Sequence, residues 1–193
     1  MKVIVIGSGF GGLSAAALLG RDGNEGTVIE KNEQIGGRAG VYSEGGFTFD
    51  MGPSWYIMPD VFERFFAEFG KNPSDFYELR RLDPSYRIYF GGGGTLDIPA
   101  DLRKTYALFE ALEANGAQKL RNYLVSAREQ YDLAVRELLY RDYRTLFDFT
   151  DRRILVQEAS LHLFENLETF VNRYFESDRA RKIVEYSIGF LGG

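Results

Sequence analysis

Cysteine is absent from the 193 residues, which excludes disulfides and thiolate metal sites and fits a cytoplasmic protein. Histidine occurs once, at His162, inside a helical apolar pattern, and is read as structural or exposed rather than catalytic. No apolar run approaches the roughly eighteen residues that a membrane-spanning helix needs. Positive charge is in short supply as well. A net charge of -5 lacks the concentrated basic face of a nucleic-acid binder, so no nucleic-acid partner is expected. The opening run Met1-Lys2-Val3-Ile4-Val5-Ile6 is expected to enter a buried strand directly, leaving no room for a signal peptide. No internal repeat and no low-complexity linker breaks the pattern.

Apolar residues make up 45% and charged residues 26%, the balance of a soluble globular chain. The length suits one ordinary domain and allows two. Sixteen phenylalanines and twelve tyrosines fit either a Phe-rich core or the lining of an elongated apolar channel. Composition leaves both readings open.

Along the chain, Lys2 to Ile6 reads as a central parallel strand. A glycine turn and a small-residue helix around Leu13–Leu19 follow, with Gly23 as a helix stop. Thr27–Glu30 is expected to be a second buried strand, completing one βαβ unit. The fold class is therefore α/β and Rossmann-like. Residues 31–46 read as a glycine-rich loop region. Asp60 is expected to cap a short helix whose Val61, Phe62, Phe65, Phe66 and Phe69 recur at helical spacing. Tyr86–Phe90 and Thr95–Ile98 flank Gly91–Gly94 as a β-hairpin. From Asp101 the pattern turns helical. One apolar stripe contains Leu120, Tyr123, Leu124, Ala127, Tyr131, Ala134, Val135, Leu138 and Leu139, and another contains Leu163, Phe164, Leu167, Phe170, Val171 and Tyr174. The apolar end at Tyr186–Leu191 leads to the expectation of a chain cut short, since boundaries normally fall in polar segments.

The chemistry concentrates in Gly7-x-Gly9-x-x-Gly12, with Phe10 and Gly11 between the second and third glycines. The first glycine permits a sharp turn out of the strand, the second lets the backbone approach a pyrophosphate, and the third lets the helix pack closely on the strand. Free N–H groups and the positive end of the helix dipole would then hold phosphate oxygens. Glu30 lies eighteen residues beyond Gly12, where a carboxylate can accept hydrogen bonds from ribose hydroxyls and repel a 2′-phosphate. Together these features predict a dinucleotide-binding unit.

The run Glu30-Lys31-x-x-x-x-Gly36-Gly37-Arg38 resembles the FAD-dependent amine oxidase and carotenoid desaturase superfamily. Gly46-Phe47-Thr48-Phe49-Asp50-Met51-Gly52-Pro53-Ser54 resembles its phytoene desaturase branch, as do Trp55–Glu63 and Leu82–Tyr86. The resemblance spans essentially the whole chain. It implies that the cofactor is FAD, that Arg38 lies near the FAD diphosphate, where an arginine fork suits phosphate oxygens, and that Gly52, Pro53 and Ser54 approach the isoalloxazine ring. It further implies that residues 1–70 are the N-terminal part of an FAD-binding domain. Residues 71–193, a hairpin plus helices, would then be part of a substrate domain.

The activity so implied is desaturation of phytoene or a related long isoprenoid, an apolar substrate drawn from a membrane. Peripheral membrane contact through the Phe-rich helix at 60–70 is one expectation and its packing in the core is the other. No catalytic acid or base can be assigned, although Asp148 and Asp151 could face the substrate region. Other readings are a different FAD oxidoreductase of the same superfamily and a non-catalytic fragment. Because family chains run well over twice this length, these residues alone are expected to bind FAD poorly and to lack turnover.

Overall fold

The computed structural model describes residues 1–52, 55–135, 139–140, 142, 144–145 and 165–186. The readings made for Pro53, Ser54, Leu138, Asp148, Asp151, His162, Leu163, Phe164 and the run beyond Tyr186 lie outside these described residues. The chain divides into two compact units, Met1–Leu79 and Arg80–Gly193.

In the first unit, strand β1 (Lys2–Ile6), helix α1 (Phe10–Arg21) and strand β2 (Glu25–Ile29) form the βαβ motif. The strands pair in parallel from Lys2 opposite Glu25 to Ile6 opposite Ile29. Helix α1 ends where expected: Gly23 takes φ +81 and its N–H donates to the Gly20 carbonyl at 3.0 Å, a conformation glycine adopts without a Cβ penalty.

The expectation of two buried strands needs correction. Val3 and Val5 are half-buried, but every residue of β2 is exposed, and Ile4 and Ile6 remain 65% and 85% exposed. Successive strand side chains alternate between faces, so Ile4 and Ile6 project from the face opposite Val3 and Val5. In a two-stranded sheet nothing described covers that outer row.

The supposed loop at 31–46 is more ordered than expected. After a 3₁₀ turn at Gly37–Ala39, strands β3 (Val41–Glu44) and β4 (Phe47–Asp50) pair as an antiparallel hairpin. Gly45 (φ +58) and Gly46 (φ +84) form its two-residue connection, and positive φ at both central positions is what a tight hairpin with right-twisted strands demands. Tyr42, Phe49 and Phe47 stack on its surface.

Helix α2 (Pro59–Ala67) starts at Met58, with Pro59 at the first helical position. Asp60 therefore sits in the first turn, where a carboxylate favours the helix dipole, and is not the cap. The fixed φ of proline suits that first position, which moves the start two residues earlier than the polar signal suggested. Phenylalanines of α2 join an aromatic cluster: Phe62 lies 4.6 Å from Tyr56 and 6.2 Å from Phe10 between ring centroids, and Phe66 stacks on Phe76 at 4.8 Å. Arg21 at the end of α1 bonds Glu68 and covers the Phe69 ring.

The second unit contains the hairpin of β5 (Tyr86–Tyr89) and β6 (Thr95–Ile98), then α3 (Leu102–Leu112), α4 (Gly116–Leu133), α5 (Leu167–Asn172) and α6 (Asp178–Glu185). Asp101 caps α3 by accepting from the Arg103 N–H at 2.8 Å. The core gathers Ile98, Phe109, Leu120, Val171, Phe175, Ala180 and Ile183. The two helical stripes meet each other, with the Tyr123 ring 5.9 Å from Phe170 and 5.6 Å from Tyr174. Leu120, Tyr123, Leu124, Leu167, Phe170, Val171 and Tyr174 of these stripes pack in or against the core, whereas Tyr131 and Leu139 are exposed. No described helix is long and apolar enough to cross a membrane.

Candidate dinucleotide-binding site

Strand β1 delivers Gly7 to a turn that only a residue tolerating φ +96 makes comfortably. The Gly7 N–H donates to the Ile29 carbonyl at 2.7 Å, tying the turn to the end of β2. Gly9 is the N-cap of α1, and no side chain caps that helix, so its first-turn amides retain their capacity to donate to an anion. At Gly12 an added Cβ would stand 2.0 Å from the Gly7 carbonyl oxygen and 3.5 Å from Val5 Cγ1. The helix can approach the turn only because that atom is missing. Gly11 is different: a Cβ there meets nothing within 4 Å. Phe10 opens α1, 59% exposed, with its ring edge-to-face with Phe62.

Glu30 follows β2 directly and is engaged by the chain itself. Its Oε2 accepts from the Ser8 N–H at 2.8 Å and the Ser8 hydroxyl at 2.7 Å, and its Oε1 accepts from the Asn32 N–H and side-chain amide, both at 3.0 Å. The Asn32 backbone N–H, followed by the backbone and hydroxyl donors of Ser8, lowers the Glu30 pKa to about 2. Hydrogen bonds to the charged form are the cause, as expected for a carboxylate collecting N–H donors. Ser8 is 1% exposed, which places one end of this contact inside the turn.

Neither Ser8 nor Asn32 was among the residues singled out from the sequence. A serine between two glycines, and an asparagine two residues beyond an acid, are weak signals. Only the fold reveals that they converge on one carboxylate.

The Gly36–Arg38 segment lies against the glycine turn. The Gly36 N–H donates to the Ser8 carbonyl at 2.9 Å, and Gly9 and Gly36 form a parallel bridge. Gly36 and Gly37 take φ +108 and +62. Arg38 is exposed and Lys31, just past β2, is exposed too. Gly52 packs on this turn from the end of the β3–β4 hairpin. Gly7, Gly9, Phe10, Gly11, Gly12, Glu30, Gly37, Arg38 and Gly52 are thereby held by neighbouring parts of one unit. A separate open hollow of about 560 Å³, lined by Tyr56, Asp60, Glu63 and Arg64 among others, does not include the glycine turn. Among the described residues no cluster of His, Asp or Glu could hold a metal ion.

A family profile described as an NAD(P)-binding Rossmann-like domain matches residues 5–69. The carotenoid 3,4-desaturase of Haloarcula japonica is 43% identical over 192 residues, covering 99% of this chain and 39% of that protein. The 4,4'-diapophytoene desaturase (4,4'-diaponeurosporene-forming) of Staphylococcus aureus strain Newman is 35% identical over 192 residues, covering 100% of this chain and 38% of that protein. A solved structure of a putrescine oxidase triple mutant covers 95% of this chain and 36% of its own, at 16% identity and a TM-score of 0.51, which is a likeness of fold alone.

The chain spans about two fifths of the length of the curated relatives it matches. Its fold is α/β, with a Rossmann-like dinucleotide-binding unit. Identity at this level from one end of the chain to the other makes it a homologue of the carotenoid desaturases.

Proposed function

We propose that this chain is the N-terminal portion, carrying the dinucleotide-binding unit, of an FAD-dependent oxidoreductase that desaturates phytoene or a related long isoprenoid. The carrying observation is the cradle at Gly12, where one methyl group would collide with the Gly7 carbonyl. It opens the uncapped α1 N-terminus beneath a glycine turn, and a diphosphate fits such a place. Likeness along the whole chain to a carotenoid 3,4-desaturase and a diapophytoene desaturase supports the substrate class.

Each residue has a share in binding. The amides of Phe10, Gly11 and Gly12 would receive diphosphate oxygens, Arg38 would add a charge-assisted fork, and Lys31 lies beside the same end of β2. Glu30 stays ionised far below neutrality, which disfavours a 2′-phosphate and hence NADP. A ribose hydroxyl reaching Glu30 would share Oε1 with the Asn32 amides. The approach of Gly52, Pro53 and Ser54 to the flavin ring is what the family resemblance implies. FAD, when bound, would accept a hydride equivalent from one C–H bond, with a proton lost from the neighbouring carbon as the C–C single bond becomes double. The protein contributes placement and exclusion of side reactions.

The substrate has no polar handle, so recognition is apolar and a membrane is its source. Cytoplasmic residence with peripheral contact at the inner membrane face belongs to the same reading. The test is titration of the full-length protein with FAD, NAD and NADP, then anaerobic mixing with phytoene in liposomes. Stoichiometric FAD uptake and bleaching of the flavin by phytoene are expected. Preference for NADP, or an unbleached flavin across a panel of acyclic carotenoids, would refute the assignment.

A further inference from the structure

Two glycines hold the Arg38 turn between main-chain neighbours. A Cβ at Gly52 would lie 1.9 Å from the Arg38 carbonyl oxygen, 2.9 Å from its carbonyl carbon and 3.2 Å from Ala39 Cα. A Cβ at Gly37 would lie 3.1 Å from Gly9 Cα. Hydrogen bonds hold the same arrangement: Gly36 N–H to the Ser8 carbonyl, and Met51 N–H to the Gly40 carbonyl, each 2.9 Å. The obstacles around Gly52 are backbone atoms. A backbone cannot swing aside as a flexible side chain does, so a methyl group at residue 52 must displace the turn itself.

We propose that Gly52 is a positioning residue for Arg38, its missing side chain setting how closely the 36–39 turn sits on the phosphate turn. The exposed Arg38 guanidinium is thereby presented to the diphosphate of a bound dinucleotide. The inference rests on the dinucleotide reading of the glycine turn. It differs from the expectation, carried by family resemblance, that Gly52 serves by approaching the isoalloxazine ring. Contact with the ring would matter only to a ligand that has one.

ADP separates the two roles, because it carries the diphosphate and no flavin ring. In the full-length protein, calorimetric titrations with ADP and with FAD would compare Gly52→Ala, Arg38→Ala and the double variant. Gly52→Ala is expected to weaken ADP and FAD by the same factor, about tenfold, the scale of one charge-assisted hydrogen bond. It should add little on the Arg38→Ala background, since sites acting through one group are not additive. Weakened FAD with unchanged ADP, or full additivity, overturns the proposal.

A second measurement needs no variant and covers the case in which Gly52→Ala fails to fold. In the unaltered protein, saturation with ADP should slow hydrogen exchange at the Ala39 and Met51 amides together. Protection at Ala39 with Met51 unmoved also overturns it. Should ADP bind and FAD not, the flavin reading fails while the role of Gly52 is still decided by the ADP titrations.

Discussion

At Gly12, one hydrogen in place of a methyl group decides whether helix α1 can sit on its turn. Gly12→Ala would put a carbon 2.0 Å from the Gly7 carbonyl oxygen. Overpacking of this kind costs about 1–3 kcal/mol, and here the displaced atoms belong to the turn proposed to hold a phosphate. A lower melting temperature and loss of FAD binding are expected together, checked by thermal denaturation and fluorescence titration. Gly11→Ala serves as the control, because its Cβ would meet nothing.

Glu30 carries one part of the pH dependence, beside Asp97 and Asp178, which hydrogen bonds from Arg87 and Lys182 hold below the usual carboxylate range. The ordinary Glu30 value of 4.5 is lowered to about 2 by the Asn32 N–H first and by the two Ser8 donors next. A carboxyl with a lowered folded pKa contributes stability that is fully present above 4.5 and is lost as pH falls from there through about 2. Ser8→Ala removes the hydroxyl and keeps the backbone donors, so the Glu30 pKa should rise while staying below 4.5. Carboxyl-carbon NMR titration measures this directly, and an unmoved titration would show that the Ser8 hydroxyl contributes nothing.

Among the elements, the βαβ unit was legible because its signals are local: a β-branched run, a glycine spacing, a small-residue helix and an acid. The β5–β6 hairpin was legible for the same reason, and Asp101 began the helical region as expected. The β3–β4 hairpin was overlooked even though Val41-Tyr42-Ser43-Glu44 and Phe47-Thr48-Phe49-Asp50 flank Gly45-Gly46, a hairpin signal in its own right. The abundance of nearby glycines made the region read as loop. What no local pattern could reveal are contacts across distance, such as Ser8 on Glu30 or Gly52 on Arg38, because they depend on how separate segments stack.

Glu113 is a case in the helical unit. It ends α3, yet its Oε2 accepts from the Glu176 and Ser177 N–H groups at 2.9 and 2.8 Å, just ahead of α6. The side chain is only 8% exposed. A carboxylate from another helix thus receives amides at the start of α6, beside the Ser177 cap. Glu113→Ala would leave the Glu176 and Ser177 amides without this charged acceptor and is expected to cost about 1–3 kcal/mol. Glu113→Gln keeps an acceptor oxygen and should recover part of the loss, as read by chemical denaturation.

Over the whole molecule, apolar burial is unevenly shared between the two units. Phe109, Val171, Phe175 and Ala180 in the second unit are sealed at 0–1% exposure, whereas in the first unit burial is concentrated at the turn around Ser8. The first unit is organised by main-chain proximity, glycine against glycine, more than by a packed interior. That suits the proposed site, which would present amides and one arginine to an anion. It also accords with a chain that spans 38–39% of its carotenoid-desaturase relatives.

The outward isoleucines of β1 carry a practical consequence. Ile4 and Ile6 stand side by side on a sheet whose strand edges are unpaired among the described residues, a combination that invites sticky, concentration-dependent clumping. A preparation of these 193 residues should light up the dye ANS and scatter more light as it is concentrated. Replacing Ile4 and Ile6 by lysine should quench both signals, and a dim, non-scattering starting protein would mean that the row is shielded after all.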